Sequence, residues 1–511
     1  MNAEAMPVSI RGRFRRSVNL ARDFYGDHGM EGYIVTVKGR QLLGRIAEAL
    51  ESDQAQRAWS IFGPYGGGKS AFALFASYLM RGSKKARRHL KEADPTLARQ
   101  FSKYRKASFC PVLIVGSREP LTHALLRGLS EALPPFARNL ADEKQARLRA
   151  LADEATKALE AKSNDEELIV SLYQWAAAAV EEATGGGLFI VIDELGKLLE
   201  YAALYPEATD LYLLQRLAER ASRAGDTPET AAPILLLTIL HQAFDRYAGR
   251  MNRVQQEEWR KVQGRFEDFA FIEPVDETLR LLAHAIERDE EAAPTAKFIE
   301  TVDRLLDEAT LPAHFDVEQV RKHLINAFPL HPSVGLLVGP LFRRLAQNER
   351  SLFAFLASGE PESFLDVMRK AQQRQLSLLD DEEASDSLPL YRLDHFYAYL
   401  VGALGATLFY EGMNRLWAET EVALSRIEKP TELSIRLLKQ IALLSFAGDY
   451  AGLKPTTKTL HVTTDERAQE VGKALKRLRT SRVVTYRHFN KEYHVWQGSD
   501  FNLEQKLAEA R

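Results

Sequence analysis

A glycine-rich turn that ends in lysine and serine begins at Gly63, and residues of these types at this spacing bind phosphate groups. Glycines let backbone amides approach phosphate oxygens closely, Lys69 would neutralise the β and γ phosphates, and the Ser70 hydroxyl would bind magnesium. The alternative is a glycine-rich turn with a chance lysine, but the eight-residue pattern, a preceding apolar run and a following helical pattern would then coincide by accident. The residues predicted to hold ATP are Gly63, Pro64, Tyr65, Gly66, Gly67, Gly68, Lys69, Ser70 and Ala71.

Two carboxylates, Asp193 and Glu194, end a second apolar run. Asp193 would hold the magnesium shell, and Glu194 would polarise or deprotonate the attacking water, which requires a carboxylate within hydrogen-bond reach. An isolated acidic pair after a strand is more often a helix cap or a solvated turn. Together with the upstream loop, the pair instead predicts magnesium-dependent ATP hydrolysis. We therefore expect Lys69 and Glu194 to be catalytic, and Ser70 and Asp193 to be the metal residues.

These residues need a sheet that brings strand ends together. Short apolar runs at residues 58–62, 112–115, 188–192, 234–239 and 268–272 resemble strands buried on both faces of a parallel sheet. Charged segments with helical spacing, such as residues 120–183, separate them. Strands alternating with helices predict an α/β fold in which the loop and the acidic pair share one sheet edge.

An additional strand lies between the loop strand and the acidic strand along the chain, and a glutamate adjoins the magnesium aspartate. This combination resembles the AAA+ ATPases, a branch of the P-loop NTPases, and it implies a parallel sheet flanked by helices. The resemblance implies that a polar residue at the end of the fourth strand senses the γ-phosphate. Thr238 is the first candidate, with His241 and Gln242 as reserves, and ordinary strand-end polar residues are the alternative.

Arg265, directly before the fifth strand, occupies the place of the AAA+ arginine finger, which reaches the γ-phosphate of a neighbouring subunit. If this resemblance is right, the active site lies between subunits and the protein acts as a homo-oligomer. The alternative is a surface ion pair of Arg265 with Glu267 or Asp268. The stretch 32–36 resembles the segment that packs against adenine in replication-initiator and STAND relatives, and core packing is its alternative.

The remaining chain reads as mainly helical. We expect an N-terminal segment at 1–45, the ATPase core at 46–275, a helical lid at 276–371, a linker and helical region at 372–450, and a winged-helix-like domain at 451–505. Proline at 329, 332 and 340 is expected to break the helical pattern. Residues 503–511 have helical spacing and stop abruptly, from which we expect a longer protein.

Short phrases, 193–197 and 348–353 among them, resemble ATPases of bacterial phage-defence islands, including those of BREX type. They imply a setting in antiviral defence but no chemistry of their own. Arg343, Arg344 and Arg350 are possible second phosphate sensors, and solvated helix-surface arginines are the alternative. The chain shows no nuclease, methyltransferase or protease pattern, so any effector chemistry is expected in a partner protein.

Basic residues dominate the outline of a winged helix near the C-terminus, where a helix at 466–480 precedes two β-rich pieces. DNA phosphates would be the natural partner of this charge, whereas docking of a protein is the alternative. A STAND-like switch that binds protein, with slow turnover as its reset, is therefore kept beside the DNA-acting ATPase. The basic residues are Lys473, Lys476, Arg477, Arg479, Arg482, Arg487 and Lys491.

Overall composition is that of a folded soluble protein, with 45% hydrophobic and 27% charged residues over 511 positions. The net charge of -2 identifies no partner by itself. Cys110 is the only cysteine, so no intrachain disulfide can form, and we expect a buried thiol in a cytoplasmic protein. The apolar runs are too short to cross a membrane, and we expect no membrane partner.

Overall fold

The structure of the protein, a computed structural model, divides the chain into two compact units: residues 16–273, and residues 1–15 together with 274–511. Within this chain the residues described are 7–15, 18–26, 29–30, 32–52, 55–64, 66–104, 107–205, 212–222, 232–241, 260–345, 352–377, 388–410 and 415–496.

A five-stranded parallel sheet forms the centre of the unit 16–273. Its strands are β2 (Ala58–Phe62), β3 (Cys110–Val115), β4 (Leu188–Asp193), β5 (Ile234–Leu240) and β6 (Glu267–Ala270), and their order across the sheet is β3-β4-β5-β2-β6. Every residue of β4 and β5 is buried. This explains why these strands read as continuous apolar runs, since helices cover both faces of such a sheet.

The first two helices of this unit precede β2 in the chain, and the others lie between the strands. Their caps follow local chemistry, as in the helix that begins after Asp165, whose carboxylate accepts the Leu168 amide, and ends at the left-handed Gly185. The helices are α1 (Leu20–Tyr25), α2 (Val37–Glu51), α3 (Lys69–Met80), α4 (Lys84–Ala93), α5 (Pro95–Ser102), α6 (Leu121–Ala137), α7 (Asp142–Glu160), α8 (Glu166–Thr184), α9 (Leu195–Leu204) and α10 (Tyr212–Ser222).

The α/β fold class predicted from the sequence is confirmed, as are all five strands, with ends that differ by one or two residues. The core of the sheet lies in two clusters, one on each face, and Cys110 belongs to one of them. Burial raises the pKa of the Cys110 thiol to about 12, as expected for a packed, unreactive cysteine. Over the described residues, no helix combines the length and the apolar character that crossing a bilayer requires.

The unit of residues 1–15 and 274–511 is mainly helical, as predicted for the region after residue 274. A short antiparallel pair, β1 (Val8–Ile10) with β7 (Ile286–Arg288), joins the N-terminal segment to it. Its helices are α11 (Val275–Ala285), α12 (Ala296–Glu308), α13 (Val317–Asn326), α14 (Pro332–Arg344), α15 (Leu352–Ala357), α16 (Phe364–Ser377), α17 (Leu393–Tyr410), α18 (Arg415–Ser425), α19 (Glu432–Ala447), α20 (Thr457–Thr464) and α21 (Ala468–Thr480).

Pro329 lies in the non-helical interval between α13 and α14, as predicted, whereas Pro332 and Pro340 act differently from the prediction. Pro332 begins α14 instead of breaking a helix, because its missing N–H costs nothing in the first turn. Pro340 lies inside α14, which continues to Arg344, so the predicted break at Pro340 was wrong. Residues 332–341 are all buried, and this packing outweighs the cost of one lost helical hydrogen bond. Within the predicted linker and helical region, residues 378–387 and 411–414 lie outside the described residues, as does the whole of the final stretch 503–511.

A helix and a β-hairpin follow one another near the C-terminus, as predicted. The helix α21 leads into β8 (Val484–Arg487), which pairs antiparallel with β9 (Glu492–Val495). The turn between the two strands exposes Phe489, whose side chain is 84% accessible.

Candidate active site

The glycine-rich loop, residues 63–68, connects the end of β2 to the first turn of α3. Gly66 and Gly68 have φ angles of 67° and 84°, in the region that favours glycine. A Cβ on Gly63 would lie 2.5 Å from the carbonyl oxygen of Phe271, so the loop passes too close to its neighbour for a side chain. Gly68 caps α3 without a side-chain hydrogen bond, so no side chain occupies the first N–H groups of the helix. Tyr65 lies outside the described residues.

Lys69 places its ammonium group inside this loop. The residue is only 4% exposed, and Nζ donates to the carbonyl oxygens of Gly63 at 2.6 Å and Pro64 at 2.7 Å. Burial lowers the pKa of Lys69 to about 8, and the negative charge of Asp193 opposes this shift. A buried cation that is held mainly by neutral carbonyl groups would be strongly stabilised by an anion, so the loop fits a polyphosphate.

Asp193 ends β4 beside the start of α3. Its Oδ1 accepts the Glu194 amide at 2.8 Å, and the Ser70 side chain lies near enough to help lower the pKa of its carboxyl group. Desolvation raises the pKa of Asp193, and the neighbouring charge of Glu194 acts in the same direction, while the Ser70 side chain, the Glu194 amide and the Lys69 charge favour the ionised form. A hydroxyl near a carboxylate offers oxygen ligands of the kind that magnesium takes, so this pair fits the predicted metal.

Glu194 has φ 52° and ψ 36°, a left-handed conformation that is uncommon for a residue other than glycine. Such a conformation costs on the order of 1 kcal/mol and is concentrated at functional sites. The Glu194 carboxylate forms an ion pair with Lys197, one turn later in α9. This pair holds the predicted water-activating carboxylate at the same strand end as Asp193.

Two residues that support Glu194 were missed from the sequence. Lys197 stands three positions after Glu194, a spacing that places two helical side chains on one face and could have indicated the ion pair. Gly116 follows β3, and its amide donates to the Asp193 carbonyl oxygen at 2.8 Å. A Cβ on Gly116 would collide with the Glu194 carbonyl group, and no signal in the sequence announces this close approach.

At the end of β5, Thr238 belongs to the core of the sheet, whereas His241 lies beside the glycine-rich loop. Thr238 is fully buried within the strand, and its hydroxyl donates to the Trp59 carbonyl oxygen at 3.3 Å. Leu240 pairs with Phe62, so His241 emerges beside Gly63. Desolvation lowers the pKa of His241 to about 4, with the charges of Lys69 and Lys197 as further causes. His241 therefore lies near both lysines, whereas Gln242 is outside the described residues.

Arg265 lies beside the amino-terminal ends of the strands, whereas the loop follows the carboxyl-terminal end of β2. Glu267, two residues later, pairs with Trp59 near the beginning of β2, and the Gln56 amide donates to the Arg265 carbonyl oxygen at 2.7 Å. The length of β2, on the order of 15 Å, separates these amino-terminal ends from Gly63. The Arg265 guanidinium forms an ion pair with Glu219 at 2.8 Å, instead of with Glu267 or Asp268. Its role as a finger stays a prediction, and it could be played only at the site of another subunit.

The weaker sequence predictions have ordinary packing roles in the structure. Tyr33 is buried, and its ring stacks on Phe75 with centroids 4.5 Å apart, so the stretch around it packs into the core. The Arg344 guanidinium donates to the Phe446 carbonyl oxygen and lies 4.2 Å from the centre of the Phe446 ring. Arg350 lies outside the described residues.

No family model matches the chain, and no curated protein matches it either. Among solved structures, it is similar to the ORC2 protein of Aeropyrum pernix in its ADPNP–ADP complexes, at 12% identity over 96% of this chain and 97% of that chain, with a TM-score of 0.35. The ADP form of the same protein shows 12% identity over 96% of both chains, with a TM-score of 0.35. The ORC1 protein of Aeropyrum pernix in complex with DNA shows 13% identity over 95% of both chains, with a TM-score of 0.30. At this level of similarity, the chemistry of the site has to be inferred from the chain's own residues.

Proposed function

We propose that the protein is a magnesium-dependent ATPase of the AAA+ type. It would couple ATP binding and hydrolysis to assembly or conformational switching on DNA or on a DNA-bound partner. The observation that carries this proposal is the nearness of the Ser70 side chain to the Asp193 carboxylate, beside the buried ammonium group of Lys69. Three residues from two distant parts of the chain thus meet in the arrangement that a metal-bound triphosphate requires.

Each residue of the site would have one task. Lys69 would exchange its carbonyl partners for phosphate oxygens, and Ser70 and Asp193 would hold the magnesium ion that makes the γ-phosphate electrophilic. Glu194 would accept the proton of the attacking water. We assign the γ-phosphate sensor to His241 in preference to Thr238, because the Thr238 hydroxyl is committed to the Trp59 carbonyl group inside the sheet. The region 276–371 would act as the lid.

We further propose that the protein works as a homo-oligomer in which Arg265 completes the site of a neighbouring subunit. Arg265 supports this role because it lies at the opposite end of the strands from its own loop. Its side chain is also half-exposed, so a phosphate of a neighbouring subunit could compete with Glu219 for the guanidinium. The pair with Glu219 would hold the guanidinium ready in the separate subunit.

An Arg265→Ala variant should bind ATP normally and lose on the order of 10³-fold in turnover, because arginine fingers stabilise transition-state charge without being needed for binding. Mixing it with a Lys69→Met variant should restore activity, since one interface of the mixture then combines an intact loop with an intact finger. Phosphate release measured over a series of mixing ratios tests this. Mixtures that remain as inactive as their components would exclude a shared site.

The partner we propose is DNA, contacted through the C-terminal module of α21 and the β8–β9 hairpin, which resembles a winged helix. Exposed basic residues on α21 and the hairpin support this proposal, and Phe489 at the tip provides an exposed ring beside the charges of Arg487 and Lys491. Basic residues hold phosphates, and an exposed apolar side chain can contact bases or sugars. The setting we propose is bacterial antiphage defence, with an effector protein as a further partner.

The DNA-acting ATPase and the STAND-like switch differ in what stimulates turnover. We expect single-stranded or duplex DNA to raise the rate of ATP hydrolysis above the rate with RNA or without nucleic acid. The measurement is phosphate release across these four conditions, alongside gel filtration with and without ATP. Turnover that ignores every nucleic acid, together with an ATP-dependent change in elution volume, would favour the protein-binding switch instead.

A further inference from the structure

A second concentration of positive charge lies on α4, the helix that follows the loop helix α3. Its ten residues include five lysines and arginines and one glutamate. The whole chain, by contrast, has a net charge of -2. The cluster is therefore a local property of the ATPase unit that the overall composition conceals, and the proposed nucleotide site does not use it.

The structure directs these charges outward. Ala86 and Leu90, one turn apart, are buried and fix the inner face of α4. Lys84, Arg88 and Lys91 are exposed, and their spacing of four and three residues places them on one face in a stripe about 10 Å long. Across the part of the chain that the structure describes, no acidic side chain forms an ion pair with any of these three.

The positions of these cations on α4 are unfavourable for the stability of the helix itself. Lys84 and Lys85 occupy the first turn of α4, which contains no acidic residue, although the positive end of the helix dipole favours acidic side chains there. Lys84 and Arg88 are four residues apart, and like charges at that spacing destabilise a helix by a few tenths of a kcal/mol. A bound polyanion would relieve both costs at once.

We propose that Lys84, Arg88 and Lys91 contact the phosphate backbone of a nucleic acid, on a surface separate from the C-terminal module. A membrane is a poorer partner, because a helix that lies on a bilayer needs an exposed apolar face. The apolar residues of α4 are buried, and the exposed large hydrophobic residues of the described chain lie outside α4 and α5. A regular row of phosphates is the partner that a stripe of cations fits.

The test compares full-length proteins by fluorescence anisotropy with a labelled duplex DNA, single-stranded DNA and duplex RNA, at salt concentrations from about 50 to 200 mM. The combined variant Lys84→Gln, Arg88→Gln and Lys91→Gln should bind at least one of these nucleic acids about tenfold or more weakly. The slope of log affinity against log salt for duplex DNA should become less steep by up to about 3, because each lost phosphate contact removes about 0.9. A matched control, Arg149→Gln, Lys157→Gln and Lys322→Gln, removes three other exposed cations and should change neither quantity.

A second variant separates this surface from the proposed DNA contact of the C-terminal module: Lys476→Gln, Arg477→Gln and Lys491→Gln. If only this variant weakens binding, the α4 surface is overturned while the proposed function stands. Equal losses in the α4 variant and the matched control, or a wild-type protein that binds none of the nucleic acids, would also overturn it.

Binding to vesicles of phosphatidylcholine and phosphatidylserine that only the α4 variant loses, without any effect on nucleic acid, would reassign the surface to a membrane. All of these binding measurements are made without nucleotide, which keeps the test independent of ATP hydrolysis.

Discussion

Replacing Glu194 by glutamine should lower the turnover number for ATP by about 10²- to 10⁴-fold, the range that general-base catalysis contributes. Glutamine keeps the shape of the side chain and can adopt the same left-handed backbone conformation, but it cannot accept the proton of the attacking water. The residues proposed to hold the nucleotide and its magnesium ion, Lys69, Ser70 and Asp193, are untouched, so ATP should remain bound and unhydrolysed. Single-turnover phosphate release and equilibrium binding of a fluorescent ATP analogue measure the two quantities separately.

The matched control for this prediction is Glu200→Gln in the same helix α9. It makes the same chemical change, but Glu200 lies almost two turns beyond the strand end. Its turnover should equal that of the wild type. A Glu194→Gln protein that hydrolyses ATP at the normal rate would remove Glu194 from the mechanism, and one that no longer binds ATP would make its role structural.

Replacing Lys69 by methionine should have the second large effect, and in two opposite directions. Turnover should fall by about 10³-fold or more, because the positive charge at the β and γ phosphates is lost. The nucleotide-free protein should nevertheless become more stable at pH 7, by on the order of 1 to 3 kcal/mol, because a buried ammonium group whose pKa is lowered to about 8 destabilises the folded state. Denaturant unfolding with and without magnesium and ATP measures both effects.

The pH dependence of this stability difference has a definite sign. In the wild type the folded state disfavours the protonated lysine, so the destabilisation is fully present below pH 8 and disappears as the pH rises from about 8 towards 10.5, the ordinary value. The advantage of the Lys69→Met protein should shrink over the same interval. An exposed lysine provides the control, and Lys157→Met should leave stability nearly unchanged at every pH. A Lys69→Met protein that is less stable at pH 7, yet still stabilised by ATP, would contradict the assignment.

The parts of the site that could be predicted are those in which neighbours in the chain are also neighbours in space. The loop of residues 63–68 lies between its own strand and its own helix, and Glu194 follows Asp193 directly. The five strands were predicted from their uninterrupted apolar runs, because a strand buried on both faces of a sheet needs apolar residues at every position. Pro340 shows the limit of such local rules, since the packing of α14 overrides its preference to end a helix.

The remaining features depend on which strand lies next to which. Thr238 was the better sensor candidate by residue type, but β5 pairs with β2 in a register that commits its hydroxyl to Trp59 and brings His241 beside Gly63. Gly116 reaches the Asp193 carbonyl oxygen only because β3 pairs with β4. Arg265 forms its ion pair with Glu219, which lies on a helix far from it in sequence. The exposed stripe on α4 likewise became visible only once Ala86 and Leu90 had defined the inner face of that helix.

The sequence by itself determined the chemistry proposed for this protein, because the spacing of glycines, lysine, serine and carboxylates specifies which groups a phosphate and a metal would meet. Tertiary structure alone decided their surroundings: the burial that lowers the pKa of Lys69, the desolvation that raises the pKa of Asp193, and the side chains that face outward. The physical reason is that pairing across a sheet and exclusion of water arise between residues far apart in the chain, and neither leaves a periodic signal in it.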